Sequence, residues 1–437
     1  MGKKRAILAS AMITAVALST AACSSGSSGS SSGTTLSYWA TQTGTSLDKT
    51  KQVLTPVLDE FTKQTGIKIK IEVIGWNDLQ ARIQTAAASG QGPDVLAIGN
   101  TWASSLQATG AFLPFDSANM KAIGGADKFI KTALDTGGAP GKVVTSVPLY
   151  GQAYGLYYNK QMFKDAGLQP PTTWEELVTD AQKLTDPSKD VYGMVLDAGS
   201  YTGNSHYAFI TAAQNGAEFF DAKGNPTFTS SGVVKGIKRY LDLMQTDKAV
   251  NRSDAQNDSS TKSMDDFAKK KAAMIMNQNN GDSGIAARGM KSNEYGVVPL
   301  PAPVGGEKIA SFPAGTNLSI FKNTKNTDAA LKFVKYMTSE ATQKTMDKPF
   351  HELPVLKGVT PNFTDNAAES KVFQDIYNNM SKSMPLVPAE DQFESTVGKA
   401  MNDMFAKIAT GGTVSESDIM SAMKTAQTQV QSSTGTG

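Results

Sequence analysis

The chain carries only two imidazoles, His206 and His351, far apart in its 437 residues and with no metal-ligand spacing around either. A formal G-x-S-x-G occurs at Gly29, Ser31 and Gly33, but it sits in a Ser/Gly run. A nucleophile elbow needs a strand, a turn and a helix around it. No phosphate-binding glycine loop is present. Acidic pairs such as Asp59–Glu60 and Asp265–Asp266 read as solvated helix faces. A glycosidase needs two carboxylates facing across a cleft, and no pair is singled out. A cell-surface glycosidase or esterase therefore stays as the alternative from the enzyme class. No catalytic residue, metal ligand or cofactor is expected.

The residue types favour binding instead. Aromatic rings, with the amides of Asn77, Asn100, Gln152, Asn277, Asn279 and Asn280, supply stacking surface and directional hydrogen bonds without net charge. That mixture suits a neutral polyhydroxylated solute, whose C–H faces stack on rings while its hydroxyls pair with amides. An amino acid or peptide would call for a dedicated Arg and Asp at its zwitterion ends, and a polyamine for several acids. Neither cluster is visible, and neither ligand is excluded.

The elements that must position these groups follow from periodicity. LSYW (36–39) reads as a short strand. Leu54, Val57, Leu58 and Phe61 then fall at i, i+3, i+4 and i+7, one face of a helix closed by Gly66. IKIKIEVI (67–74) alternates as a strand. NDLQARIQTAAASG is a second helix, capped at Asn77, and DVLAIG (94–99) is a continuous apolar run suited to a strand buried on both faces. The order β-α-β-α-β argues for a doubly wound α/β sheet, which binds ligands outside the carboxyl ends of its strands. Trp39, Trp76 and Trp102 each follow one of these three strands. The fourth tryptophan, Trp174, lies on the apolar face of a helix opened by a Thr173/Glu176 capping box and reads as core.

Further along, GVVKGIKRYLDLM reads as a helix, and AAMIM (272–276) as a strand followed by a polar loop. TNLSIFKN returns to strand, followed by a helix with Ala330, Phe333, Val334 and Met337 on one face. YGVVPLPAPVGG and HELPVLKGV are extended, proline-marked segments suited to connections between domains. The segment VPLYGQAYGLYYNKQMF (147–163) holds four tyrosines, two glycines and two glutamines. Its first half reads as a crossing strand that lines a site, and YYNKQMF as a strand-to-helix entry.

At the N-terminus Lys3, Lys4 and Arg5 precede the apolar run AILASAMITAVAL, the arrangement of an export signal. The only cysteine, Cys23, follows Ala21 and Ala22 in a pattern that resembles a bacterial lipobox, with Thr20 where Leu is usual. Residues 1–22 thus read as a lipoprotein signal peptide, Cys23 as the lipid attachment site, and 23–33 as a flexible Ser/Gly tether. Removing 1–22 takes Lys+Arg from 42 to 39 against 40 Asp+Glu, so the net charge goes from +2 to −1. Nothing in that balance points to a nucleic-acid surface.

G-x-G-P-D-V (90–95), YGLYYNKQMFKDAGL followed by PTTWEEL (154–177), AAMIMN (272–277), YGVVPLPAP with NLSIFKNTKNTDAALKFVKYM, and HELPVLKGV occur together and in order. In this the chain, over roughly residues 35–430, resembles the extracellular solute-binding proteins of ABC importers, in the cluster with maltodextrin- and other sugar-binding proteins. The resemblance implies a two-lobe periplasmic-binding-protein-like α/β fold (type II), its doubly wound sheets joined by a three-segment hinge. Lobe 1 would comprise 34–147 and 300–349, and lobe 2 148–299 and 350–437. It also implies contacts from the strand-end loops: Trp39 and Thr41, Trp76 and Asn77, then Asn100, Thr101 and Trp102. Tyr150 and Gln152 would face solute from the hinge. The family's G-x-W after the A-M-x-x-x strand is replaced by NQNNGDSG, so Asn280 and Asp282 take its place. Gly315, Thr316, His351 and Glu352 complete the candidates. The function implied is capture of a sugar, an oligosaccharide above all, for delivery to membrane permease subunits. A polyol, peptide or polyamine is the alternative solute. The expected protein is a monomer, lipid-anchored on the outer face of a Gram-positive cell membrane.

Overall fold

The computed structural model describes residues 33–364 and 366–434. The signal segment, Cys23 and the tether up to residue 32 therefore lie outside the described residues. The described residues from Thr34 onward form one compact unit, built on two sheets.

The first sheet has the order β2-β1-β3-β9-β4, with β1 Thr35–Thr41, β2 Lys68–Ile74, β3 Val95–Gly99, β4 Ser146–Gln152 and β9 Ala314–Ile320. The first three strands run parallel, and β9 lies antiparallel between β3 and β4. Helix Leu47–Thr65 buries Leu54, Val57, Leu58 and Phe61, the face its spacing defines, and stops at Gly66 (φ 74°). Asp94 of the G-x-G-P-D-V run explains part of that motif. Its carboxylate accepts from the Ser37 N–H and hydroxyl (2.8 Å each) and from Thr324 and Asn326. It thereby ties β1, β3 and the end of β9 together.

The second sheet has the order β6-β7-β5-β8, with β5 Tyr154–Asn159, β6 Tyr192–Val195, β7 Ala272–Gln278 and β8 Tyr295–Val298. Helix Trp174–Lys183 begins with the Thr173/Glu176 capping box and buries Trp174. Helices Tyr201–Gln214, Ser231–Gln245 and Glu390–Ala409 pack together beside this sheet.

The hinge lies further along the chain than the prolines imply. β4 stays in the first sheet through Gln152 and β5 enters the second at Tyr154, so Ala153 is the first crossing. The expected boundary at 147/148 is displaced because Pro148 sits at an irregularity within β4, where the register shifts between Pro148 and Tyr150 and a missing N–H is tolerated. The second crossing spans 299–313. At the third, Leu353 still pairs with Gly151, Ile130 N–H donates to the Val355 carbonyl and Lys357 N–H to the Lys128 carbonyl, at 2.9 Å each. The first lobe therefore holds the chain to residue 357, not 349.

Candidate functional site

The first-sheet strand ends face helices Tyr201–Gln214 and Glu390–Ala409 across a cleft enclosing about 290 Å³. After β3, whose five residues are all buried, a tight turn Asn100–Trp102 folds over the strand end. Asn100 Nδ2 donates to the Pro313 carbonyl at 2.7 Å. Trp102 Nε1 reaches across to Glu394 Oε2 at 3.2 Å. Trp76 opens helix Trp76–Ser89 and its Nε1 donates to the Gln42 carbonyl at 2.8 Å. The rings of Trp76 and Trp102 meet edge to face, with centroids 5.7 Å apart and planes at 70°. Trp102 is buried, whereas Trp76 is 38% exposed.

The second lobe answers with a polar chain. His206 Nδ1 lies 2.7 Å from the Tyr154 hydroxyl, and its Nε2 lies 3.2 Å from Glu394 Oε1. Burial pushes the Tyr154 phenol up, so it stays protonated. Burial alone would raise Glu394, but the hydrogen bond and the charge of His206, with smaller contributions from Glu390 and Thr101, outweigh it and hold the carboxyl below its ordinary value. Its neighbour Glu390 is pushed well up by burial and by the charge of Glu394. Asp197, raised to about 6 by burial, accepts from the Ser260 hydroxyl at 2.7 Å.

Trp102 and Glu394 belong to opposite lobes. So do Gln84 and Asp391, joined at 3.0 Å. The two lobes therefore touch across the cleft.

Of the residues singled out in sequence, the cavity wall brings together Trp76, Asn100, Thr101, Trp102, Gln152, Asn277, Asn280 and Gly315. The others lie elsewhere. Trp39 is inside β1, which runs on to Thr41; the pleat turns it onto the face covered by helix Trp76–Ser89, where Arg82 stacks on it at 4.6 Å. Thr41 is buried, its Oγ1 3.1 Å from that of Thr43. Tyr150 turns into the first lobe's core, bonding Met346 Sδ at 3.2 Å and meeting Phe350 edge to face. Thr316 is buried within β9 between Gly99 and Tyr150. His351 Nδ1 and Asp282 Oδ2 pair at 2.7 Å beside the third crossing, and Glu352 is buried behind Gln152. Asn77 is the second residue of its helix, with Gly75 rather than Asn77 as the cap; its side chain lies outside the described residues.

Sequence reasoning missed Tyr154, Asp197, Tyr201, His206 and Glu394, all on the wall. A signal for Glu394 exists: Glu390 and Glu394 share a helix face with Phe393 and Val397, at i, i+3, i+4 and i+7, so two acids stand on an apolar stripe. Among the described residues no group of three His, Cys, Asp or Glu is placed to hold a metal ion.

The chain belongs to the bacterial extracellular solute-binding protein family, whose model matches residues 44–344. Proteins of this kind bind solutes and are not catalysts. The diacetylchitobiose-binding protein DasA of Streptomyces coelicolor is 25% identical over 383 residues, covering 84% of this chain and 85% of its own. The fold matches that of the GacH receptor of Streptomyces glaucescens, known unliganded and with acarbose. That match has a TM-score of 0.75 and 23% identity, and covers 91% of this chain and 98% of the receptor. A solute-binding protein of Agrobacterium radiobacter in complex with ribitol matches with a TM-score of 0.76 and 24% identity, over 92% and 98%.

Proposed function

We propose that the cleft captures a saccharide outside the cell membrane and hands it to the permease of an ABC importer. The make-up of the cavity carries this reading. Two edge-to-face tryptophans, Tyr154 and Tyr201 offer ring faces, while Asn100, Gln152, Asn277 and Asn280 offer amides from both lobes. Sugar C–H faces stack on the rings and hydroxyls pair with the amides. At about 290 Å³ the cavity is at the lower edge of small-molecule sites, roughly 300–1,000 Å³. That suits one or two sugar units within closed lobes, a longer oligosaccharide leaving over the exposed Trp76. The relatives named for diacetylchitobiose, acarbose and ribitol support a polyhydroxylated solute. Solute favours the closed state by its greater affinity for it, and the closed state is what the permease takes up. Diacylated Cys23 and the tether would keep the monomeric receptor beside its transporter.

One observation favours a second reading. Asp197, Asp258 and Glu394 line the cavity, and none of its lining residues is Lys or Arg. Such a wall repels uronic acids and sugar phosphates and favours an amine-bearing solute, an amino sugar or a polyamine. A thermal-shift panel of maltose, maltotriose, N,N′-diacetylchitobiose, ribitol, galacturonic acid and spermidine separates the readings. A neutral saccharide at a hundred times its Kd adds about 2.7 kcal/mol of stability and a clear rise in Tm. Stabilisation by spermidine alone would replace the saccharide with the amine.

A further inference from the structure

Glu352 follows helix Glu340–Phe350 and is fully buried. Its Oε1 accepts from Gln152 Nε2 at 2.7 Å and from Asn280 Nδ2 at 3.5 Å, a long contact. Gln152 is the last residue of β4 in the first sheet, and Asn280 follows β7 in the second. Both line the cavity, and Glu352 does not. In these two side chains, and in Asn100 bonded to Pro313, the NH2 end is committed to the protein. The carbonyl oxygen is the end left for solute. Asn277 is reversed: its Oδ1 accepts from the Gln278 N–H at 2.7 Å, and its Nδ2 is buried without a partner. The cavity amides therefore have a polarity, three acceptors and one donor.

We propose that Glu352 is a positioning residue that sets this polarity. By taking the NH2 groups of Gln152 and Asn280 it presents both carbonyl oxygens to solute hydroxyls. Because those amides come from opposite lobes, the grip is complete only when the hinge closes. The immediate surroundings of Glu352 suit an uncharged acceptor: Asp347 and Tyr150 face it from the first lobe, and Asp282 is occupied by His351. Burial and the charge of Asp347 push the Glu352 carboxyl up.

The orientation is read without solute, by NMR hydrogen exchange of the side-chain NH2 groups. In the wild type the NH2 of Gln152 exchanges about tenfold more slowly than that of the exposed Gln91, one hydrogen bond's worth. Equal rates would overturn the proposal. Glu352→Met keeps the volume and removes the acceptor, so the NH2 groups of Gln152 and Asn280 both exchange about tenfold faster than in the wild type. Glu352→Gln retains an oxygen and restores slow exchange. Unchanged exchange in Glu352→Met, or equal loss in Glu352→Gln, overturns the proposal.

The consequence for solute rests on the saccharide reading and is measured separately. With N,N′-diacetylchitobiose or maltose, whichever binds the wild type, Glu352→Met weakens binding about tenfold. Unchanged affinity overturns the role in recognition. If neither sugar binds the wild type, the saccharide reading fails, and the NH2 exchange still decides the positioning role.

Discussion

Trp76 and Trp102 share an aromatic corner but differ in what they hold. Trp102 is buried and bonds Glu394 across the cleft; Trp76 is exposed and bonds only the Gln42 carbonyl in its own lobe. Trp102→Ala removes a stacking face and an interlobe bond together, so saccharide affinity falls about a hundredfold, the scale of a buried aromatic anchor. Trp76→Ala costs about tenfold. Isothermal titration measures both, and equal losses would place the two rings on the same footing. The chain's tryptophans also mark what sequence can and cannot reveal at this scale. Trp76 and Trp102 were legible because each stands just past a strand. Trp39 looked alike, but β1 continues two residues beyond it, and one step of the pleat moves a side chain to the other face. His206 and Glu394 were illegible as a pair because 188 residues separate them and only the packing of two helices brings them together.

The elements were easier to read than their junctions. The helix faces around Leu54–Phe61, Trp174–Ala181 and Ala330–Met337 are buried as their spacing requires, since a 3.6-residue period leaves one side to cover. The hinge was placed too early because Pro148 signals a break in a strand's hydrogen bonding, not a change of sheet. Gly315 at the cleft edge has φ 148°, and a Cβ there would meet the Tyr150 carbonyl oxygen at 2.1 Å. Gly315→Ala is therefore strained and clashes with backbone. It costs at least about 1–3 kcal/mol, seen as a lower urea midpoint at unchanged slope. A variant as stable as the wild type would mean that β4 and β9 separate easily at the hinge.

Over the whole molecule, buried acids set the pH dependence. Burial raises Asp347 to about 8, Glu369 to about 8 with the charge of Asp282 adding, and Asp254 to about 7; Glu352 and Glu390 also lie well above 4.5. The native protein keeps protons that the unfolded chain has lost. The stability these acids contribute is full below their ordinary values of 3.8 and 4.5 and is lost as pH rises towards 8. The acids that are lowered, buried Glu394 among them, act in the opposite sense, but only below about 4.5. Tm is therefore expected to be several degrees higher at pH 5.5 than at pH 8.5, by calorimetry at constant ionic strength. A rise in Tm across that interval would mean that these carboxyls ionise freely in the folded state.

The central claim is that the cleft between the two sheets holds a saccharide. A crystal structure with the sugar that most raises Tm tests it most directly. Sugar rings are expected against Trp102 and Trp76, with hydroxyls on the carbonyl oxygens of Asn100 and Gln152 and the Trp102–Glu394 bond still made. A sugar bound away from these residues, against Trp39 or on the outer face of either lobe, would contradict it.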